Sequence, residues 1–123
     1  MKLFTFFAIL IFTISANAQN YVGKWKLTKL AGVENLVEKV TLNISKDGKI
    51  GGNGGCNAFG GSYSVKKTKI TFKDIFSTKM FCADVPETEY FNALGNAKSY
   101  AVKNGELIIY DKSKKIILKF VKE

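Results

Sequence analysis

Six glycines fall within the eleven residues 51–61, and this run limits what the chain can become. Without a Cβ, glycine loses more backbone entropy than any other residue when it enters a helix or strand. In return it permits positive φ and close approach of one backbone to another. The run leads into the alternating segment 62–65, not into a helix, and no Gly-Lys-Ser/Thr follows it. That excludes a phosphate-cradling loop. The remaining reading is a bulged, tightly curved corner of a sheet, with Phe59 and Tyr63 packed inward or against the corner.

The segments around the run alternate at the strand period. Trp25 and Leu27 share one face of an expected strand over 21–30, followed by a loop over 31–37. Over 39–44, Val40, Leu42 and Ile44 face one way and Thr41 and Asn43 the other. Asp47-Gly48 supplies a hairpin turn, and a return strand starts at Lys49 and Ile50. Residues 62–65 and 69–76 form a further pair. Strands over 99–102 and 106–110 flank Asn104-Gly105, which favours a primed turn, and a last strand covers 116–121. One stretch reads differently. Tyr90, Phe91, Leu94 and Ala97 recur at helical spacing, and Asp84 with Glu87 has the form of a capping box around Pro86. The expectation is one helix over 85–97. Short strands, tight turns and one helix predict an α+β fold: a mainly antiparallel, strongly curved, barrel-like sheet with the helix packed across it.

The N-terminus carries a different signal. Lys2 precedes an almost wholly apolar stretch over residues 3–14, and Ser15, Ala16, Asn17 and Ala18 form an A-x-A cleavage site. The apolar stretch is too short to span a bilayer. The expected division is a signal peptide over 1–18, cut between Ala18 and Gln19, and one domain over 19–123. Gln19 stands where a lipoprotein would need cysteine, so the mature protein is expected to be soluble, periplasmic or secreted, and monomeric. Cys56 and Cys82 are the two cysteines. In an oxidising compartment they are expected to form a disulfide, which adds about 3 kcal/mol in a loop-entropy picture. Free buried thiols and a redox-active pair are the alternatives. Their spacing is not that of a C-x-x-C motif.

Charge and composition narrow the chemistry. All 19 basic residues are lysine, the formal net charge is +9, and there is no histidine. Without arginine, bidentate reading of bases is lost, which argues against specific nucleic-acid recognition. Without histidine, Ser-His-Asp triads, H-E-x-x-H zinc sites and Cys-His proteases are excluded, and two cysteines do not complete a zinc site. No catalytic, cofactor-binding or metal-binding residue is assigned. The lysines at Lys66, Lys67, Lys112, Lys114 and Lys115 are candidates for contact with an anionic envelope surface, or simply solvate their turns.

Two local motifs contain both cysteines. Gly55-Cys56-Asn57 is followed by Phe59, Gly61 and Tyr63, and Ser77-Thr78-Lys79-Met80-Phe81-Cys82 lies downstream. With Trp25-Lys26-Leu27 ahead of them and Glu89, Phe91 and Leu94 after, the chain resembles the META domain family, which includes the heat-shock protein HslJ. The resemblance spans residues 21–121. Lys79 stands where the family more often has arginine. The resemblance implies a curved antiparallel sheet with one helix, an envelope location and a role in heat or antibiotic tolerance. It implies structural roles for Gly55, Asn57, Phe59, Gly61, Tyr63, Ser77, Thr78 and Met80, and no established activity. The function expected is therefore a non-enzymatic envelope domain that binds or scaffolds an envelope protein. A barrel holding a small apolar ligand or lipid, and a hydrolase of envelope polymers, are the alternatives. N-terminal sequencing of the exported protein is expected to begin at Gln19; an N-terminus at Met1 would reject the leader.

Overall fold

A computed structural model describes residues 20–36 and 39–123. The expected leader over 1–18, the Ala18–Gln19 junction and the last residue of the expected loop, Val37, lie outside the described residues. Eight strands and one helix follow in order: β1 (Gly23–Leu30), β2 (Thr41–Ile44), β3 (Lys49–Asn53), β4 (Ala58–Lys66), β5 (Lys69–Ser77), α1 (Glu87–Gly95), β6 (Ser99–Lys103), β7 (Glu106–Tyr110) and β8 (Ile116–Lys122). Each strand pairs antiparallel with its sequence neighbours, and β8 returns to β1, so the sheet closes into a ring. The class is α+β, as the alternation of short strands with one helical stripe predicts.

The turns follow from local chemistry. Asp47 accepts from the Lys49 N–H at 3.2 Å across the β2–β3 turn. Asn104 (φ 55°) and Gly105 (φ 79°) both take positive φ between β6 and β7, as a primed hairpin turn requires. The alternating residues then point inward. Trp25, Leu42, Ile70, Leu107, Ile109, Leu118 and Phe120 are fully buried in one core. The Trp25 indole N–H donates to the Tyr21 carbonyl at 2.8 Å, which satisfies the one polar atom that this large side chain brings inside.

Two expectations are corrected here. The strand expected from 62 begins earlier, inside the glycine run: Gly51 pairs with Gly60, Gly52 with Phe59 and Asn53 with Ala58, so β4 starts at Ala58 and not at Ser62. The bulge lies beside the run, on β5. Gly60 pairs with Phe76 and Ser62 with Lys73, which leaves Asp74 and Ile75 opposite Gly61. Asp74 takes positive φ there (57°). A Cβ on Gly61 would fall 3.0 Å from the Lys73 carbonyl oxygen, so glycine lets the bulged backbone approach.

The second correction concerns the helix. It covers Glu87–Gly95, shorter at both ends than the expected 85–97, and no side chain caps its N-terminus. Glu87 does not reach back to Asp84; its carboxylate faces the Cys56 and Asn57 N–H groups instead. At the other end, the Asn96 N–H reaches both Asn92 and Ala93 carbonyls and the Ala97 N–H reaches Leu94, a tightened last turn. Tyr90, Ala93 and Leu94 bury the stripe in the ring's core. The Tyr90 hydroxyl donates to the Thr41 carbonyl at 3.0 Å. The helix packs against β5 and β1. Its place in the chain matters, because β5 and β6 share one registered pair, Lys69 with Ser99. Truncation of Phe120 to Ala is expected to cost about 3–5 kcal/mol in urea unfolding, against less than about 0.5 kcal/mol for exposed Lys26→Ala.

Candidate functional site

The β3–β4 turn brings the two cysteine motifs together. Its residues are Gly54, Gly55, Cys56 and Asn57, between the paired ends Asn53 and Ala58. The Asn53 side-chain oxygen accepts from the Gly55 N–H at 2.7 Å, and the Gly54 N–H donates to the Asn57 carbonyl at 2.9 Å. A closed turn of this kind leaves the Cys56 and Asn57 N–H groups without strand partners. Glu87, at the first position of α1, meets both: one carboxylate oxygen accepts from Asn57 N at 2.6 Å and from Cys56 N at 3.1 Å. The other oxygen accepts from Asn57 Nδ2 at 2.7 Å.

Asn57 is the centre of the cluster, at 4% exposure. Its Nδ2 also donates to the Met80 carbonyl at 3.1 Å. Its Oδ1 accepts from Thr78 Oγ1 and from Met80 N, both at 2.8 Å. The side-chain amide thus makes two donations and two acceptances, its full complement. This pattern also orients the amide, since a flip would set donors against donors. Cys56 and Cys82 are joined by a disulfide with Cα atoms 6.0 Å apart, which ties the far end of the same segment to the turn. Of the alternatives, free thiols are therefore set aside.

Close approach of the helix needs the glycine at 54. A Cβ there would lie 2.7 Å from Glu87 Oε2 and 2.9 Å from Phe91 Cζ. Below the turn, Phe59 is buried, with its ring edge-on to Tyr90 and Phe91 at 5.8 and 5.3 Å. Tyr63 lies farther along β4, half-buried, with its ring edge-on to Tyr21 and its hydroxyl donating to the Ser45 carbonyl. Ser77 ends β5 and pairs with Phe59. The structure therefore gathers Gly55, Cys56, Asn57, Thr78, Met80 and Cys82 into one cluster. Phe59 underlies it, and Gly61 and Tyr63 lie along β4. Lys66 and Lys67 sit at the β4–β5 turn, and Lys112, Lys114 and Lys115 sit in the β7–β8 turn, all exposed and apart from the cluster.

Glu87 is the residue that the sequence reading assigned to another task. Burial pushes its carboxyl upward, but the Asn57 side-chain amide and the Asn57 and Cys56 N–H groups outweigh it and hold the carboxyl below its ordinary range. A capping box and a long-range acceptor look alike in sequence; nothing in 30 intervening residues marks the difference. Chemically, the cluster is an acceptor–donor clamp. Among the described residues no group of three His, Cys, Asp or Glu side chains converges as a metal site would need.

The clamp leaves one thing outside. Met80 is held by its backbone N–H and carbonyl, while its side chain is 62% exposed. Phe81 beside it is 91% exposed and Phe76 is 69% exposed. The Phe76 ring lies over Gly60, where a Cβ would meet it at 2.7 Å.

The profile of the META domain matches residues 18–123. No curated protein matches the sequence. Among solved structures, a DUF4847 family protein from Bacteroides vulgatus ATCC 8482 is 15% identical over 89% of this chain and 98% of its own, with a TM-score of 0.67. A protein from Burkholderia xenovorans is 22% identical over 97% of this chain and 95% of its own, with a TM-score of 0.69. At these identities the likeness establishes the shared fold.

The clamp has a signature in pH. A carboxyl held below its unfolded value stabilises the fold above the ordinary glutamate range, and that contribution is lost as pH falls through the lowered folded value. Glu87→Gln places an amide N–H₂ against donors that cannot turn away. It is expected to cost about 1–3 kcal/mol at neutral pH. The gap between variant and wild type should narrow as acid titrates Glu87, in urea unfolding followed from neutral to acid pH.

Proposed function

This chain belongs to the META domain family, and on that premise we propose that it is an exported, non-enzymatic binding domain of the cell envelope. In this reading it presents the segment around Phe76, Met80 and Phe81 to a partner protein, in support of heat or antibiotic tolerance. One observation carries the reading: Met80 and Phe81 stand exposed on a segment whose backbone is clamped by Asn57 and tied by a disulfide, and Phe76 stands exposed near the end of the strand that leads into it. Adjacent large apolar side chains left in water, as Met80 and Phe81 are, mark interaction surfaces, and a rigid presentation lowers the ordering cost of association.

Several features support the remaining parts. The leader expected over residues 1–18 and the paired cysteines fit a compartment outside the cytoplasm. The sequence has no histidine to act as a general base. Asp47 and Asp111 hold their own turns, Asp74 accepts from the Ser62 hydroxyl, and Glu87 holds the β3–β4 turn. These carboxylates serve structure, which speaks against a two-carboxylate hydrolase. Trp25, Tyr90 and Phe120 fill the ring's interior, which speaks against an apolar ligand held within it.

A deletion strain of the host is the test. Wild-type protein is expected to restore survival under heat or antibiotic challenge. A Met80→Ser/Phe81→Ser variant should accumulate to the same level, unfold within about 0.5 kcal/mol of wild type and fail to restore survival. Full rescue by that variant would remove the apolar segment from the function.

A further inference from the structure

Four lysines distant in sequence line one depression of about 400 Å³: Lys69 at the start of β5, Lys98 ahead of β6, and Lys112 and Lys114 in the β7–β8 turn. It lies over the β5–β6 seam, the thinly paired part of the ring. The surrounding backbone is fixed by hydrogen bonds across that seam and to β7. Ile70 N–H donates to the Lys98 carbonyl at 3.1 Å, Tyr100 N–H to the Thr68 carbonyl at 2.9 Å, and Lys98 N–H to the Tyr110 carbonyl at 2.8 Å. The lysines are therefore carried on defined backbone, not on a loose tail.

Their charges are unbalanced. Among the described residues the one ion pair joins Lys39 to Glu123, so none of the four ammonium groups faces a carboxylate at bonding distance. Asp111 lines the same depression, but its Oδ1 accepts from the Ser113 and Lys115 N–H groups at 2.8 and 3.0 Å and holds the turn. Four cationic side chains carried around one concavity favour a multivalent anion over a monovalent one. Lysine suits phosphate as a point charge, whereas planar recognition of a carboxylate favours arginine, which this chain lacks. The hydroxyls of Thr68 and Ser99, which also line the depression, add neutral donors and acceptors for the ligand's framework.

We propose that this depression binds a ligand carrying two or more phosphate groups, with Lys69, Lys98, Lys112 and Lys114 on the phosphate oxygens. The site is separate from the Phe76–Met80–Phe81 surface and does not depend on its role. A soluble polyphosphate and a multiply phosphorylated lipid headgroup share this chemistry.

The test titrates sodium tripolyphosphate into the purified protein by calorimetry at about 0.15 M salt, where exposed charges more than a Debye length apart are screened. Saturable binding to one site is expected. Lys98→Ala/Lys112→Ala should weaken it by about tenfold or more, while Lys46→Ala/Lys49→Ala, which removes equal charge elsewhere, should change it less than about twofold. Thermal unfolding of both variants checks that each stays folded. Flotation with phosphatidylcholine vesicles carrying phosphatidylinositol bisphosphate separates the two sources. Flotation that the Lys98/Lys112 variant loses assigns a headgroup, and tripolyphosphate binding without flotation assigns a soluble ligand. Lack of saturation, or equal weakening in both double variants, overturns the site.

Discussion

A tight turn that ends a hairpin aims its own N–H groups away from the sheet, and those donors must be met elsewhere. In this protein the Cys56 and Asn57 N–H groups converge with the Asn57 side-chain amide, and a single carboxylate from the start of the helix receives all three. Charge-assisted bonds of this kind are about twice as strong as neutral ones. The contact does more than satisfy donors. It sets the height at which α1 approaches the ring, and the ring interior is completed by Tyr90 and Leu94 from that helix. Gly54 is part of the same constraint, because any side chain there would hold Glu87 and Phe91 away.

Fixing the helix in turn decides how the ring closes. The chain leaves β5, passes through the disulfide and the helix, and re-enters as β6 with one registered pair to β5. A sheet so weakly joined at one seam relies on the packing of the helix stripe to hold that region. The two surfaces proposed to bind partners are both built on this arrangement. One is the segment whose backbone answers to Asn57 and whose apolar side chains face water. The other is the lysine-lined depression over the seam itself.

Much of the fold was legible because its signals are local. The period-two burial of Leu42 and Ile44 reports one face of one strand, and Asn104-Gly105 reports a turn through its own φ preferences. The tyrosine and leucine spacing in 90–94 reports a helix. The misreadings share a different cause. The glycine run was read as a bulged corner with the next strand starting at 62, because glycine is a poor strand former alone, yet Gly51 and Gly60 pair with each other, where small size and close approach help. Glu87 was read as a cap because Asp84 and Pro86 stand beside it, and its true partners are about thirty residues away.

By itself, the sequence determined the strand count within one curved sheet, the single helix, the chemistry available without histidine or arginine, and membership in its family. It also named Cys56, Asn57, Thr78 and Met80 as belonging together, through motif and not through geometry. Only the tertiary structure decided that Glu87 closes the clamp, that the bulge falls on β5, that Phe81 points into solvent, and that Lys69 and Lys98 join Lys112 and Lys114. The reason is physical. Periodicity and turn chemistry act between residues a few positions apart, whereas a carboxylate chooses among donors, and charges add up, by distance in space.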